Sequence, residues 1–526
     1  MAQTSALPFV MPQYSRAPVA PSARRRGMVI ALQLAVAALY GFAAVALPLD
    51  LLIVMLVPIG VCLLIVLWMM PDRRVFPFAA ITTSFGVTLT LMMAWPNYIA
   101  VVLPGLPWVT PTRLALFVLT FLFQYSIATS SPLRHHLVTV ARSSPVLWSL
   151  FLLWQLAMFI SLPFSGHVGD SIKGLVDNEL RLAQMFFIGS LMFAPRRGPT
   201  RAVRLMLILA LIASLDGFIE LRLGFPPWAH SIPSFMRIDA DALANILGSQ
   251  SRADDGLYRV RGPYVNSLVF SEFLTICTPF IIHWLLTGRS ILLRASMAGL
   301  WLIVLGAIVI TQSRLGLIGT IIAIGTYVPV WAYRQWRANA TSILGPTLLF
   351  GAPVLALALL GVIFSSHTLT LRVLGGGAQA SSDEARTIQR DMAIPKIATH
   401  PLGYGINMGA GVLGFTAPNG LVTVDNYYLN TLLDLGYPGA IGFYGMFSVA
   451  AWLGGRIYLK TKDRESELAG PLGIVCLNFV ILKSVLSQEN NHSLVFLLLG
   501  MMAAFWARER GLFDPDNLFP RRREAR

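Results

Sequence analysis

The sequence predicts an all-α, polytopic membrane protein, and three observations support this fold class. Hydrophobic residues make up 56% of the 526-residue chain and charged residues only 12%, with a mean hydropathy of +0.67, far from the balance of a water-soluble domain. Apolar runs of about 17 to 25 residues, the length that lets a helix cross the hydrocarbon core, recur along nearly the whole chain. Strand barrels show alternating segments of about ten residues instead, which favours helices.

The apolar runs predict fourteen membrane-spanning helices within a transmembrane domain of residues 28–508. Their approximate ranges are 28–47, 50–70, 77–95, 112–130, 145–164, 176–194, 202–221, 265–286, 293–311, 313–333, 343–364, 427–453, 469–486 and 493–507.

Both ends of the chain are predicted to be polar tails. Residues 1–27 are rich in Pro, Ser, Ala and Arg, a composition typical of disorder, and residues 509–526 form a basic C-terminal tail. The run FAAVALP resembles a signal-peptidase site, but a second apolar run follows at once, which favours a retained helix. Three cysteines, all in predicted spans, argue against a disulfide framework or a metal cluster.

Basic residues indicate the orientation, because cytoplasmic loops are enriched in them. With the N-terminus inside, every predicted inner segment carries at least two basic residues, from the arginines at 24–26 to the C-terminal RRREAR. Both termini are therefore predicted to be cytoplasmic. The formal charge of +15 is largely a topology signal, and it gives no indication of nucleic-acid binding.

Two outer connections are long, at about 222–264 and 365–426, and the fold class includes a long outer loop that carries short helices. Long loops are usually functional. Both contain arginine on the face where topology disfavours it, and a planar guanidinium matches phosphate oxygens bidentately. A bound anion would explain these arginines, and ion pairs with neighbouring aspartates and glutamates are the alternative.

Arg314 lies in TQSRLGLIGT, where one predicted span turns directly into the next. A charge held at a membrane boundary by a short turn should face a partner or a cavity. The same argument applies more weakly to several charges inside predicted spans, for which an ion pair within the bundle is the simpler interpretation. These are Glu179, Arg181, Asp216, Glu220 and Glu272.

Four segments, taken in order, resemble signature regions of the O-antigen ligase and Wzy-type polysaccharide polymerase superfamily. They are RVRGPYVNSLVFSEF, TQSRLGLIG, HPLGYGINMGAG and VDNYYLNTLLDLGYPG, spread over about residues 258–440. Ligases of this family typically have a histidine at the start of the last motif, followed by Asn, Ser or Gln. Here the motif begins with Asp425 and Asn426 and continues to Leu429 and Gly436. The aspartate favours a polymerase.

The resemblance implies a metal-independent, inverting glycosyltransferase of the GT-C class that needs no cofactor and uses a polyprenyl-diphosphate-linked sugar. Such an enzyme requires cations at the departing diphosphate and a base at the acceptor hydroxyl. Arg261 and Arg314 match the motif positions for the first function, and Arg386 or Arg390 could close over the diphosphate from the loop.

The three candidate bases differ in their position along the chain. Asp425 is the first, because it begins the last motif where the chain re-enters the membrane, although an N-cap of the following helix is the alternative role. His400 in THPLGYG is the second, since imidazole titrates near neutral pH. Glu272 is the third.

The predicted function is polymerisation of lipid-linked oligosaccharide repeat units into an exopolysaccharide or O-antigen-like glycan at the outer face of the inner membrane. One alternative is an O-antigen ligase that transfers glycan to a lipid A-core or other acceptor. A second is a lipid-linked oligosaccharide flippase, and a third is a scaffold of an export complex. The predicted partners are the lipid-linked oligosaccharide, the bilayer, and flippase, chain-length or export proteins.

Overall fold

Helices account for nearly all of the regular structure in the part of the chain that the computed structural model describes. That part comprises residues 76–101, 109–238, 258–339, 380–417 and 422–514, with short pieces of 60–72, 341–365 and 420. The predicted tail 1–27, the predicted span 28–47 and most of the predicted spans 50–70 and 343–364 lie outside it. Residues 1–69 form one unit, and residues 70–526 form another that contains every element named below.

The first half of the described chain contains helices α1 to α7 and two short strands. The helices are α1 (Phe78–Ala94), α2 (Pro111–Thr129), α3 (Ser131–Ser143), α4 (Pro145–Ser161), α5 (Val168–Asn178), α6 (Gln184–Met192) and α7 (Gly198–Leu223). A 3₁₀ turn, Leu162–Phe164, follows α4, and a π-helical segment, Glu179–Ala183, joins α5 to α6. Strands β1 (Ile99–Val101) and β2 (Met236–Ile238) pair antiparallel, with Ile99 opposite Ile238.

The second half contains helices α8 to α15. They are α8 (Ser267–Thr287), α9 (Ile291–Ile310), α10 (Arg314–Ala338), α11 (Ala380–Thr399), α12 (Gly409–Leu413), α13 (Tyr427–Lys460), α14 (Ala469–Leu482) and α15 (His492–Glu509). A 3₁₀ turn, Ser466–Leu468, precedes α14.

Local sequence explains where several helices begin. The Thr110 side chain accepts a hydrogen bond from the backbone N–H of Arg113 before Pro111 starts α2, and Ser130 does the same for Leu133 before α3. Hydroxyl and amide side chains are favoured at N-caps and proline at the first helical positions. Ser290 and Asn266 cap α9 and α8 in the same way.

Six helices are long and apolar enough to cross a membrane among the residues described: α2, α4 with its 3₁₀ turn, α7, α8, α9 and α10. The predicted all-α, polytopic membrane fold is confirmed. In α8, 83% of the most apolar window is buried, against 22% in α9, so α8 lies inside the bundle and α9 at its lipid-facing periphery. The count of fourteen spans stays a prediction.

Close helix packing depends on small residues, as in other membrane bundles. Gly442 of α13 faces the backbone of Trp154 in α4, where an added Cβ would lie 2.6 Å from the Trp154 nitrogen. Gly454 of α13 meets Gly473 of α14 in the same way, with a would-be Cβ 2.7 Å from the Gly473 Cα. These contacts place α13 between α4 and α14.

The structure differs from the sequence prediction in two places. The connection between the predicted spans 112–130 and 145–164, SPLRHHLVTVARSS, is largely helix α3, which buries Leu133, His136 and Val140 and exposes its other face. Its apolar residues recur at helical spacing, but the run is too short and too polar to be read as a span. The predicted span 176–194 is the longer series α5, π-helical segment and α6.

The segment 380–413 forms a small layer on the start of α13. Ala393 and Ile397 of α11, Leu413 of α12, and Leu429 and Leu433 of α13 make a separate apolar cluster. The second long connection therefore has its own core, which fixes α11 against the first turns of α13.

Candidate functional site

Three of the four signature segments meet at one end of the helix bundle. Leu315, one residue after Arg314, packs with Leu482 and Leu486 at the end of α14, and Leu268 of α8 packs against the same cluster. The backbone N–H of Tyr427 donates to the carbonyl of Lys483 at 3.1 Å. The starts of α8, α10 and α13 therefore surround the C-terminal end of α14.

Asp425 lies at this end, immediately before α13. Its backbone N–H donates to Gln389 Oε1 of α11 at 2.8 Å, and Gln389 is fully buried. The N-cap of α13 is Asn426, whose Oδ1 accepts from the backbone N–H groups of Tyr428 and Leu429 at 2.8 and 3.4 Å. The half-buried Asp425 carboxylate is thus not the cap, and it forms no hydrogen bond or ion pair with another described residue.

Helix α11, which binds the backbone of Asp425 through Gln389, also carries Arg386 and Arg390. Arg386 precedes Gln389 by three residues, so both side chains lie on neighbouring positions of one helix face, and Arg386 is half-buried. Arg390 is exposed and pairs with Asp391, 3.1 Å from guanidinium to carboxylate. Arg386 therefore shares a helix face with the residue that binds Asp425, whereas Arg390 points to solvent and pairs with Asp391.

Arg314 is the first residue of α10 and is half-buried. The preceding turn is held by the segment 258–262, since the backbone N–H of Val260 donates to the carbonyl of Ile310 at 3.4 Å and Arg259 Nε donates to that of Thr311 at 3.4 Å. A helix N-terminus carries partial positive charge. The Arg314 guanidinium therefore lies on the same residue as the positive end of the α10 dipole.

Arg261 belongs to a buried cluster around Glu220 of α7. Arg261 is 1% exposed, and its Nε lies 3.5 Å from Glu220 Oε1. Glu220 Oε2 accepts from the backbone N–H of Gly262 at 2.7 Å, and Oε1 accepts from the Tyr258 hydroxyl at 2.7 Å. Burial, followed by this hydrogen bond to Glu220, raises the pKa of Tyr258 to about 12. The cluster fixes the shape of the 258–262 turn.

Glu272 of α8 is engaged in a second buried cluster. Its Oε1 lies 2.9 Å from Lys483 Nζ, and both side chains are almost fully buried. Asn491 donates to Glu272 Oε2 at 2.9 Å, and Lys483 also donates to the Gln488 carbonyl at 2.7 Å. This arrangement gives Glu272 a structural role whether or not it takes part in catalysis.

His400 lies at the other end of α11. It is exposed, its Nδ1 is 3.2 Å from Thr399 Oγ1, and its ring lies 4.1 Å from that of Tyr404. Eleven residues separate it from Gln389, which corresponds to roughly 16 Å along a helix. The structure therefore does not bring His400 together with Asp425.

The glycines of HPLGYGINMGAG allow a close approach to the backbone of α13. Gly436 interrupts α13 with φ +65° and ψ −167°, and the Tyr404 N–H donates to the carbonyl of Leu433 at 2.8 Å. A Cβ on Gly403, whose φ is +87°, would lie 2.7 Å from the Gly436 nitrogen. The glycines therefore bring two chain segments into backbone contact.

Asp434 stabilises the contact between HPLGYGINMGAG and α13, and the sequence analysis did not select it. Its Oδ1 accepts from the backbone N–H of Gly409 at 2.5 Å, and its Oδ2 accepts from Asn430 Nδ2 at 3.3 Å. The carboxylate thus binds the beginning of α12. The sequence offered one signal for Asp434, namely its position two residues before Gly436 in the last signature motif.

A cavity of about 400 Å³ lies beside these segments. Its wall includes Tyr264 from the first motif, Trp95 and Tyr98 after α1, and the guanidinium groups of Arg113 and Arg181. Aromatic faces and cations in one cleft suit a sugar that carries phosphate. The sequence analysis did not select Arg113, and it assigned Arg181 to an ion pair, which the structure shows with Asp177.

Comparison with known protein families finds a match in the second half of the chain. Residues 298–444 match the family model described as O-antigen ligase, a range that includes Arg314, α11, α12 and the start of α13 but not Arg261 or Glu272. The resemblance seen in the motifs is thereby confirmed. No curated protein matches the chain significantly. The matched family is one of glycosyltransferase-like enzymes.

Proposed function

We propose that this chain, which carries the O-antigen ligase domain of the ligase and Wzy polymerase superfamily, polymerises polyprenyl-diphosphate-linked oligosaccharide repeat units. The product would be an exopolysaccharide or O-antigen-like glycan, made at the outer face of a bacterial inner membrane with both termini of the chain cytoplasmic. The observation that carries this proposal is the Asp425 carboxylate, held at the junction of the motifs and left without a partner among the described residues.

In the proposed reaction, the acceptor hydroxyl attacks the anomeric carbon of the lipid-linked sugar from the face opposite the diphosphate. A new carbon–oxygen bond forms, the bond from the anomeric carbon to the phosphate oxygen breaks, and the lipid diphosphate leaves with the electron pair. Asp425 accepts the hydroxyl proton as general base. The configuration at the anomeric carbon is inverted, and arginines supply the positive charge without a metal ion.

The structure favours different tasks for the four arginines. Arg314 and Arg386 are half-buried near the starts of α10 and α13, and we assign them to the diphosphate oxygens. Arg390 is exposed and pairs with Asp391, so we assign it a weaker contribution at the diphosphate. Arg261 is buried against Glu220, so its charge serves to hold the turn that borders the site.

Two other residues remain candidate bases with weaker geometric support. His400 is accessible but lies at the far end of α11, and Glu272 is bound by Lys483 and Asn491. His400 is thus distant along α11 from the residue that binds Asp425, and Glu272 is buried, whereas Asp425 is half-buried at the start of α13 and its carboxylate forms no pair with another described residue.

The direct test incubates the purified protein with a synthetic polyprenyl-diphosphate repeat unit and resolves the products by length. A polymerase gives a ladder. Loss of a general base typically lowers the rate about 10²- to 10⁴-fold, and this is the expected effect of Asp425→Asn. The matched control is Glu384→Gln, an exposed carboxylate on α11. Equal activity in the two variants would refute the role of Asp425.

An O-antigen ligase is the second candidate, because the matched family model bears that description. Supplying preformed lipid-linked polymer together with a lipid A-core acceptor separates the two functions. A ligase transfers the polymer once to the acceptor and gives no ladder from the repeat unit alone. Movement of the lipid-linked sugar across a vesicle membrane without any chain growth would instead indicate a flippase.

A further inference from the structure

A second, larger cavity lies at the opposite end of the bundle from Asp425. Its volume is about 760 Å³, and it is bordered by the starts of α7 and α9, the ends of α8 and α10, and the connection between α13 and α14. Helix α8 begins beside the candidate site and ends at this cavity, so its 21 residues separate the two by roughly 31 Å. By the predicted topology this end is cytoplasmic.

The cavity wall is strongly basic. Seven arginines and three carboxylates line it. Arginine at the cytoplasmic ends of helices is expected from topology alone, but topology does not explain why arginines from five separate segments converge on one concave surface.

The three carboxylates are already engaged within the protein. Glu467 accepts from Arg334 at 3.0 Å. Glu465 accepts from Arg508 at 3.1 Å and from the Thr200 hydroxyl at 3.0 Å. Asp463 accepts from the Ser466 hydroxyl at 2.8 Å. They therefore neutralise Arg334 and Arg508 and cap local turns. Five of the seven lining arginines form no ion pair with another residue that the structure describes.

Three of the lining arginines illustrate this excess. Arg204, Arg289 and Arg464 are exposed, and none forms an ion pair with another residue in the described ranges. Each comes from a different segment, respectively α7, the α8–α9 turn and the α13–α14 connection. Like charges held around one concavity repel each other unless an anion occupies it, and guanidinium groups match phosphate oxygens in geometry.

Apolar residues continue from the rim of this cavity towards the lipid. Leu293 lines the cavity, and the neighbouring Ile291 and Leu292 are 83% and 75% exposed. Helix α9, which carries them, is the least buried of the six candidate spans. A ligand with a phosphate head and hydrocarbon chains would match both surfaces, whereas a small soluble anion would leave these side chains without a partner.

We propose that this cavity, formed by the ends of α7 to α10 and the α13–α14 connection, binds the phosphate headgroup of an anionic phospholipid. Basic pockets between helices on the cytoplasmic side are suited to such headgroups. The volume is within the range of small-molecule sites. The proposal is independent of the glycan chemistry proposed for the other end of the bundle.

The test measures lipid binding to the purified, delipidated full-length protein by native mass spectrometry. The probes are a phospholipid with two phosphates, phosphatidylglycerol and zwitterionic phosphatidylcholine, each titrated separately. The cavity variant is Arg204→Gln with Arg289→Gln. The control is Arg142→Gln with Arg337→Gln, two exposed arginines at the same end that do not line the cavity.

We expect the anionic lipids to bind the cavity variant about 10- to 30-fold more weakly than the control, the effect of about two arginines near a lipid phosphate. Phosphatidylcholine should bind all proteins equally weakly. Equal anionic-lipid binding in both variants would overturn the proposal. Displacement of the lipids by an equal concentration of soluble pyrophosphate would contradict the proposal that the bound phosphate belongs to a phospholipid.

Because all four substituted arginines are exposed, the variants should unfold thermally at the same temperature as the wild type. If the cavity variant fails this control, Arg464→Gln alone provides the same comparison at lower amplitude. An intact glycan ladder in the variants, with weakened lipid binding, would show that the two sites are separable.

Discussion

Removing Lys483 should destabilise the protein more than removing Lys483 and Glu272 together. Lys483 Nζ lies 2.9 Å from Glu272 Oε1, and the exposures of the two side chains are 0% and 2%. Lys483→Met would leave the Glu272 carboxylate buried with Asn491 as its remaining partner. Breaking a buried pair by removing one member typically costs about 3–5 kcal/mol.

The double variant, Lys483→Met with Glu272→Gln, removes both charges. Replacing a buried ion pair by well-packed neutral side chains of similar volume is often neutral or stabilising. Glutamine also keeps an acceptor for Asn491, whose amide would otherwise lose its 2.9 Å hydrogen bond. We therefore expect the double variant to recover most of the lost stability, whereas two substitutions at independent sites would simply add their effects.

The assay is thermal unfolding of purified single and double variants in the same detergent, followed by chain-elongation activity of those that fold. A double variant less stable than Lys483→Met alone would refute the reasoning, because the pair would then not be the source of the loss. Activity separates the roles of Glu272. A stable double variant that elongates glycan excludes Glu272 as the base, and a stable inactive one supports it.

The remaining predictions concern the α13 kink and the 258–262 turn. Gly436→Ala should destabilise the protein by about 2–6 kcal/mol. A side chain at φ +65° and ψ −167°, a backbone region open almost only to glycine, costs about 1–3 kcal/mol, and the contact of its Cβ with the backbone of Leu402 and Gly403, both within 2.7 Å, costs about 1–3 kcal/mol. Thermal unfolding measured beside Gly411→Ala, whose added Cβ would meet open space, checks this, and equal stability of the two variants would contradict it. The pKa of Tyr258 is raised to about 12 by burial and by its hydrogen bond to Glu220, so its contribution to stability is fully present below pH 10 and is lost as the pH rises through about 12. Stability measured across this range should fall less steeply in Tyr258→Phe than in the wild type, and identical slopes would show that Tyr258 titrates normally.

The sequence by itself established the class of protein and most of the helix positions. The apolar runs at 112–130, 145–164 and 293–311 correspond to α2, α4 with its 3₁₀ turn and α9 within two residues at each end. A helix that crosses the hydrocarbon core needs a continuous stretch of apolar side chains, and such a stretch is visible directly in the sequence. The order of the four motifs was sufficient to recognise the family, because each motif is a short run of consecutive residues.

Helix α3 and the π-helical segment at 179–183 were not predictable to the same degree. Helix α3 is short, carries two arginines and two histidines, and is stabilised by burying one face against the bundle. Such a helix depends on its neighbours more than on its own propensity. Strands β1 and β2 have three residues each and lie more than 130 positions apart in the chain. A local sequence pattern therefore could not predict that they pair.

At the candidate site, the sequence identified which residues carry charge, and only the tertiary structure decided which of those charges are already paired. Glu272 and Arg261 look as promising in the sequence as Asp425, yet the first lies against Lys483 and the second against Glu220, while the Asp425 carboxylate has no partner among the described residues. The partners come from α14 and α7, which are distant in the chain. Coulomb attraction depends on distance in space and on burial, and neither quantity is encoded in the spacing of residues along the sequence.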